Sequence, residues 1–275
     1  MTPGARVPAH SFDHPAFSVI ETAVRSRLLA LDHFPAPHEL RKLAQGLPNA
    51  LEPWFDFAEQ DRAQLLAAGS FDRAIARTKL IPTRLHSFHD LLGALIWLHY
   101  PALKTAIHQA QLAADSTVRG PRENAATHLD ESGVLVFGCE PSIFEALSAL
   151  EWVRVFWERR AELQQTTRFL AFGHGLLDTL RDPHPRLMGM ALFVRVARQR
   201  LTLAESDFRM FVDGALAKLL PEFLSGPALL APLPVLGIPG WSPNQSRAYY
   251  EDARYFRTTR QRARAPSAAR WLVLD

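Results

Sequence analysis

The chain has 275 residues, of which 48% are hydrophobic and 21% are charged, and its 31 basic and 28 acidic side chains give a net charge of +3. This composition excludes an intrinsically disordered protein, and a chain of this length can bury enough surface to fold without disulfides or a structural metal. The single cysteine, Cys139, excludes an internal disulfide and a thiolate zinc cluster, and it is typical of a reducing compartment.

The first half of the chain has helical periodicity interrupted by proline and glycine. Apolar spacing and boundary residues predict helices over about 15–31, 38–45, 59–68, 88–100 and 102–114. Ser87, followed three residues later by Asp90, forms a variant capping box at the start of the fourth helix. Pro101 predicts a change of axis between the fourth helix and the fifth.

The second half adds one β element to the predicted helices. Alternating residues around Asp130-Glu131-Ser132-Gly133 predict a short hairpin near 127–137. Further helices are predicted over 141–163, 166–180, 187–194 and 203–224. The apolar, proline-rich segment 229–244 fits an extended chain packed along a groove of its own core, with peptide-like recognition as the alternative.

Together the elements predict a mainly α fold of the α+β class. It is a single-domain helical assembly with one small β-hairpin, a Pro-rich extended segment and a basic C-terminal tail. The domain would cover 1–246 and the tail 247–275, in which seven arginines and three acids give a local charge of +4. Without an apolar leader, and with prolines throughout the longest uncharged stretch, the chain is expected to be cytoplasmic with no membrane partner.

His89 and Asp90 form the first candidate group, in the first turn of the predicted helix 88–100. The rest of this helix is apolar, which predicts a buried helix, and its positive end favours an ionised carboxylate. Gly93 lies one turn beyond His89 and leaves room for another group to approach. The alternative is that Asp90 only caps the helix and His89 only packs.

His174 is the second candidate, because it lies between Gly173 and Gly175. A glycine inside a helix costs roughly 1 kcal/mol relative to alanine, so the pair predicts close approach of a ligand or a neighbouring backbone. Asp178, four residues on, would share the face of His174 and could orient its ring. Tight packing around a core histidine is the alternative.

The predicted hairpin supplies the third group, with His128 and Asp130 on one face and Glu131 in the turn. The three groups provide the side chains of either a divalent-metal site or a general acid–base site. The expected metal ligands are His89, Asp130 and His174, and the expected catalytic residues are these three with Asp90. Expected substrate-binding residues, which would hold a phosphate or carboxylate, are Arg84, Lys104 and Arg122.

Several segments are similar to one family. Pro82-Thr83-Arg84 with His89-Asp90, Leu129 to Gly133, Phe172-Gly173-His174 and, most specifically, the segment 232–241 (PLPVLGIPGW) resemble signatures of the bacterial family of unknown function numbered 3025. Gly93 departs from the pattern, where the family is expected to carry asparagine. The resemblance implies a bacterial cytoplasmic protein, and it brings no activity, cofactor or catalytic residue.

Two hypotheses from different classes follow. The first is a hydrolase-type enzyme that uses the His/carboxylate site on an anionic small molecule, with a divalent metal as a possible cofactor. The second is a non-catalytic binding or scaffold module that uses the Arg-rich segment 247–275 on nucleic acid or an acidic partner.

Overall fold

The computed structural model describes residues 6–48, 51, 55–112, 120–224, 229–257 and 270–274. A π-helical turn over Arg154–Glu158 and short 3₁₀ turns accompany its helices and strands. The helices are α1 (Thr22–Leu29), α2 (Leu40–Leu43), α3 (Arg62–Ala68), α4 (Phe71–Thr78), α5 (Phe88–His99), α6 (Pro101–Leu112), α7 (Pro121–Ser132), α8 (Pro141–Ser148), α9 (Arg160–Thr166), α10 (His174–Thr179), α11 (Arg198–Leu201), α12 (Glu205–Phe223) and α13 (Arg247–Glu251). The strands are β1 (Asp56–Glu59), β2 (Leu80–Thr83), β3 (Gly133–Gly138), β4 (Thr167–Ala171), β5 (Met188–Val196), β6 (Ala231–Pro234) and β7 (Trp271–Leu274).

The strands form two sheets. β1 and β2 pair in parallel, and the larger sheet has the order β4-β3-β5-β6, with β7 also paired to β5. β3 runs antiparallel to β4 and parallel to β5. The fold is therefore mainly helical and of the α+β class, as predicted, but it has more β structure than one hairpin.

Helices cover both faces of the larger sheet. Phe137 of β3 packs edge-on against Phe208 of α12, with ring centroids 5.0 Å apart. Phe193 of β5 stacks on Phe144 of α8 at 5.1 Å. Phe137 is paired with Val194, so Phe193 points to the opposite face. β3 is buried along its whole length, which explains its uninterrupted apolar sequence.

The antiparallel pairing of β3 with β4 brings two helix ends together. α7 leads directly into β3, and two residues separate the end of β4 from the start of α10. Val134, near the start of β3, is paired with Ala171, at the end of β4. The C-terminus of α7 and the N-terminus of α10 therefore meet at one end of the sheet.

The prediction of a hairpin near 127–137 is wrong. Residues up to Ser132 belong to α7, and the following residues form β3, whose partners lie far away in the chain. Glu123, Ala125 and Ala126 are good helix formers and extend the helix through the acidic residues that suggested a turn. His128 and Asp130 consequently do not share a face, since residues two apart in a helix are rotated by about 200° around its axis.

Three predicted helices also need correction. The segment 166–180 contains β4, and all but the first residue of 187–194 lies in β5. The apolar residues at the end of β4 and along most of β5 are buried, and the periodicity of a short apolar run does not separate a buried strand from a buried helix. The helix predicted over 141–163 is divided into α8, the π-helical turn and α9, with Leu150 at φ 60° where α8 has ended. In contrast, α5 and α12 lie where they were predicted, and so does α6 up to Leu112; residues 113 and 114, the end of that prediction, lie outside the described residues.

The proline-rich segment 229–244 packs against the core of its own chain. It contributes β6, and Leu229, Leu233 and Val235 are buried. Of the predicted basic segment, α13 contacts the π-helical turn and β7 extends the sheet beside β5. Among the helices in the described ranges, none combines the length and the apolar character needed to cross a bilayer.

We expect His99, at the end of α5, to make the fold acid-sensitive. Its Nε2 accepts from the Glu21 N–H at 3.0 Å and its Nδ1 donates to the Leu95 carbonyl at 2.7 Å, so the ring is neutral. Burial lowers the pKa of His99 to about 4 from its ordinary 6.5, since the bond to Leu95 only partly offsets it. The unfolded chain therefore takes up a proton below pH 6.5 and the folded chain does not.

The contribution of neutral His99 to the free energy of unfolding should be fully present above pH 6.5. It should fall by roughly 3 kcal/mol as the pH drops towards 4. Urea unfolding of the wild type and of His99→Gln, which cannot titrate, at several pH values between 7 and 4 measures this contribution. Identical pH profiles for the two proteins would show that His99 does not cause it.

Candidate functional site

The candidate site is a cleft of about 240 Å³ at the meeting point of α5, α7 and α10. Strand β2 and helices α4 and α6 complete its walls. The polar residues that line it are Gln60, Asp72, Thr83, Arg84, His89, Asp90, Lys104, Gln111, Thr127, Asp130, Glu131 and His174.

His174 is the first residue of α10, and its ring is held by the main chain of α7. The geometry, Nδ1 at 2.9 Å from the carbonyl oxygen of Asp130, is that of an Nδ1–H donor, which leaves a lone pair on Nε2. Nε2 lies 3.6 Å from Oε1 of Glu131. Burial lowers the pKa of His174, although Asp130 opposes this, and the neutral ring is the form that binds a cation.

His89, in the first turn of α5, lies beside His174. The two ring centroids are 4.5 Å apart, at an interplanar angle of 60°. One ligand atom from each of His89, Glu131 and His174 can be chosen so that all three lie within 4.8 Å of one another. Nδ1 of His89 is 3.9 Å from Oδ2 of Asp178, so Asp178 faces His89 and not, as predicted, His174.

Two glycines allow this close arrangement of helices. A Cβ atom on Gly173 would lie 2.4 Å from the Gly133 nitrogen and 2.5 Å from the Ser132 nitrogen, distances that no side chain can adopt. A Cβ on Gly175 would lie 2.7 Å from Oε2 of Glu131. The close approach predicted from the glycine pair is therefore an approach to the backbone of α7, and Gly173 precedes α10 instead of lying inside it.

Lys104 and Asp130 form an ion pair behind His174. The ammonium of Lys104 bonds Oδ1 of Asp130 and lies 5.2 Å from the centroid of the Trp97 ring. Burial raises the pKa of Asp130, but Lys104 and His174 outweigh it, and the pKa lies below its ordinary value. Asp130 is therefore an ionised carboxylate whose charge is met by Lys104.

Arg84 and Asp90 form a second ion pair at the mouth of the cleft. The Arg84 guanidinium donates through Nε and Nη2 to Asp90, and the Arg84 backbone N–H donates to Oδ2 at 2.7 Å. The Ser87 hydroxyl accepts from the Asp90 N–H and caps α5, as predicted, but the Ser87 N–H donates to the Arg84 carbonyl and not to the Asp90 carboxylate of a capping box. Burial acts against ionisation of Asp90, yet the bonds from Arg84 prevail and lower its pKa. Asp90 is thus engaged by Arg84 and is not among the ligand atoms that converge.

The fold brings most of the predicted site residues together in the cleft. His89, Asp90, Asp130, His174, Arg84 and Lys104 line the cleft, and Arg122 does not. Glu131, predicted only as a turn residue, supplies the converging carboxylate, while Asp130 uses its carbonyl to orient His174. The sequence signal that could identify Glu131 is helical spacing, and it applies only when 121–132 is predicted as a helix.

The donor set fits a divalent transition metal. Two imidazoles and one carboxylate are found in catalytic zinc sites, which keep a position open, and in non-heme iron sites. Bonds of about 2.1 Å at tetrahedral angles place ligand atoms about 3.4 Å apart, so the three side chains need to close in by about 1 Å. In the cleft, four carboxylates face two cationic side chains, an excess of negative charge that favours a cation.

Comparison with known proteins gives a family and no activity. The sequence model of the family described as "Protein of unknown function (DUF3025)" matches residues 55–260. This range includes all residues that line the cleft. No curated protein and no solved structure matches the chain.

Proposed function

Since the chain belongs to the DUF3025 family of proteins of unknown function, we propose its function from the site itself: a hydrolase that holds a divalent cation through His89, Glu131 and His174. The observation that carries the proposal is the convergence of their ligand atoms within 4.8 Å. These atoms face a cleft large enough for part of a small substrate. A bound cation of this kind activates water for attack at neutral pH.

Lys104 and Asp130 in the cleft, and Asp178 beside His89, support the ligands. The carbonyl of Asp130 fixes the tautomer of His174, and Lys104 holds Asp130. Asp178 is placed to accept a hydrogen bond from Nδ1–H of His89 once the two atoms approach from 3.9 Å. Second partners of this type orient ligating histidines and raise their basicity.

An anionic substrate is part of the proposal. Lys104 is committed to Asp130, but the side chain of Arg84 is 55% exposed at the mouth of the cleft. Arg84 can therefore contact an anionic group while it still bonds Asp90. Arg122, which was expected to share this role, lies outside the cleft and has no part in the proposal.

Metal removal tests the proposal. The purified protein is expected to contain about one divalent transition-metal ion per chain by elemental analysis. It should hydrolyse at least one of a panel of phosphomonoesters, phosphodiesters and carboxylic esters. Chelation should abolish this hydrolysis and re-addition of the metal should restore it, because the cation supplies the activated water. Hydrolysis that survives complete chelation would contradict the proposal.

The second hypothesis, a module that binds nucleic acid through the C-terminal arginines, has weaker support. Arg247 is paired with Glu158 and Glu251, and Arg254 is paired with Asp252. Arg260, Arg262 and Arg264 lie outside the described residues.

A further inference from the structure

One carboxylate of the cleft has no role in the proposed function. Asp72 lines the cleft from α4, whereas the three metal ligands belong to α5, α7 and α10. We propose that Asp72 binds an ammonium group, so that the substrate carries a cationic amine in addition to the anionic group that Arg84 contacts. This inference rests on the proposed function and narrows its substrate class.

Asp72 is accessible to a ligand in the cleft. In the described part of the chain its one side-chain partner is His108, whose Nδ1 lies 3.3 Å from Oδ1 of Asp72. Oδ2 has no hydrogen-bond partner there, and it is not closed off, because the side chain of Asp72 is 17% exposed and lines the cleft. A carboxylate oxygen with free lone pairs is the acceptor that an ammonium group requires.

His108 does not neutralise Asp72. The side chain of His108 is 6% exposed, and its Nε2 is buried without a partner among the described residues. An imidazolium would bury a charged N–H at Nε2 without an acceptor, which costs more than an unpaired neutral nitrogen. This favours a neutral ring that donates from Nδ1–H to Asp72, so the carboxylate keeps its negative charge.

The other charges of the cleft are matched within it. The two basic side chains that line the cleft each pair with a different carboxylate, and neither of these is Asp72. Glu131 offsets one charge of the proposed divalent cation, and the anionic group of the substrate offsets the other. None of the lysines and arginines among the described residues forms an ion pair with Asp72. Asp72 is therefore the carboxylate left to balance a cationic group of the substrate.

Phe71 favours an organic ammonium over a second metal ion. Phe71 precedes Asp72 in the chain, is 43% exposed and lines the same cleft. An aromatic ring offers contact area to the carbon chain of an amine and attracts an ammonium group through its π-face. A metal ion needs several nitrogen or oxygen ligands, and Asp72 belongs to no converging group of three such side chains in the described ranges.

The geometry of α5 sets the length of the amine. His89 lies in the first turn of α5 and Trp97 lies eight residues later, which is a rise of about 12 Å along the helix axis. The ring of Trp97 is 6.2 Å from that of His108, the partner of Asp72. An amine about four carbon atoms from a metal-bound anionic group spans this distance, because the metal bonds and a hydrogen bond of about 3 Å add to the carbon chain.

Calorimetric titration with 4-aminobutylphosphonate and with butylphosphonate, at one equivalent of Zn²⁺, tests this inference. The two compounds differ by the ammonium group, and neither has an ester bond to hydrolyse. We expect the wild type to bind the amine about 10-fold more tightly or better, since it gains a hydrogen bond between charged groups. Asp72→Asn should abolish this preference and keep the affinity for butylphosphonate, because the amide has no charge but still accepts from His108.

Asp207→Asn is the matched control. Asp207, like Asp72, is an acid in the first turn of a helix, but it is exposed on α12 and does not line the cleft. This variant should prefer the amine as the wild type does. Equal affinities of the wild type for the two phosphonates, no binding of 4-aminobutylphosphonate, or a preference that persists in Asp72→Asn would overturn the inference.

The affinity ratio separates this inference from the proposed function, because it reports the ammonium group whatever holds the phosphonate. Metal-dependent hydrolysis without a preference for the amine would leave the hydrolase and remove the ammonium subsite. A preference that depends on Asp72, in a protein whose hydrolysis survives chelation, would leave the subsite and contradict the metal-dependent hydrolase.

Discussion

Replacement of Glu131 by glutamine is expected to weaken divalent-cation binding by at least about 100-fold, because loss of an outer partner of a metal ligand already costs 10- to 100-fold. Glu131 is the only anionic member of the converging group. Its side chain is 48% exposed, so the substitution should leave the fold intact. His89→Ala should have an effect of the same order, since it removes one imidazole from the set.

Competition between the protein and a chromophoric chelator for Zn²⁺ measures this loss. His128→Ala is the control, because His128 lies on the same helix as Glu131 but is exposed and does not line the cleft. Its affinity for Zn²⁺ should equal that of the wild type. If Glu131→Gln and His89→Ala bind Zn²⁺ as tightly as His128→Ala, these side chains are not metal ligands.

Replacement of Lys104 by methionine is expected to lower the free energy of unfolding by about 3–5 kcal/mol, the usual cost of removing one partner of a buried ion pair. The side chains of Lys104 and Asp130 are 5% and 14% exposed, so Asp130 would keep a charge that water reaches poorly. Methionine retains most of the aliphatic stem of the lysine, so the change is the loss of the ammonium with its contacts to Asp130 and to the Trp97 ring. Urea unfolding at pH 7 provides the measurement.

The double variant Lys104→Met, Asp130→Leu separates charge from packing. Replacement of both partners by apolar side chains is often nearly neutral, so the double variant should regain most of the lost stability. The carbonyl of residue 130 remains in place to hold His174. A loss below about 1 kcal/mol in Lys104→Met, or no recovery in the double variant, would show that the ion pair contributes little.

The helices with strong boundary signals could be predicted from the sequence. α5 has Ser87 as its cap and Pro101 after its end, and α12 has a long apolar stripe. β4 and β5 could not be predicted. Most of β5 is a buried apolar run with no distinguishing period, β4 begins with the partly exposed Thr167 and Arg168, and the pairing partners of both strands are distant in the chain. The parallel pairing of β3 with β5 is likewise a product of tertiary contacts that local propensity does not contain.

The candidate site was predictable in part. His89 could be found because it is a polar residue in an otherwise apolar helix, and His174 because it lies between two glycines. Their proximity depends on the pairing of β3 with β4, which places α7 against α10, and no local pattern specifies that pairing. The acidic residues at the end of α7 resembled turn residues, and this concealed the fact that Asp130 and Glu131 present different groups to the cleft.

Because of the contact at Gly173, the position of α10 beside the cleft depends on main-chain atoms and little on core side chains. α10 rests on the main-chain atoms of Ser132 and Gly133, and the ring of His174 is oriented by another main-chain atom, the carbonyl of Asp130. Exchange of one core side chain for another of similar volume shifts such backbone positions little. The chain can therefore accumulate substitutions in its interior while His174 keeps its orientation, whereas a one-residue insertion between α7 and β3 would displace it.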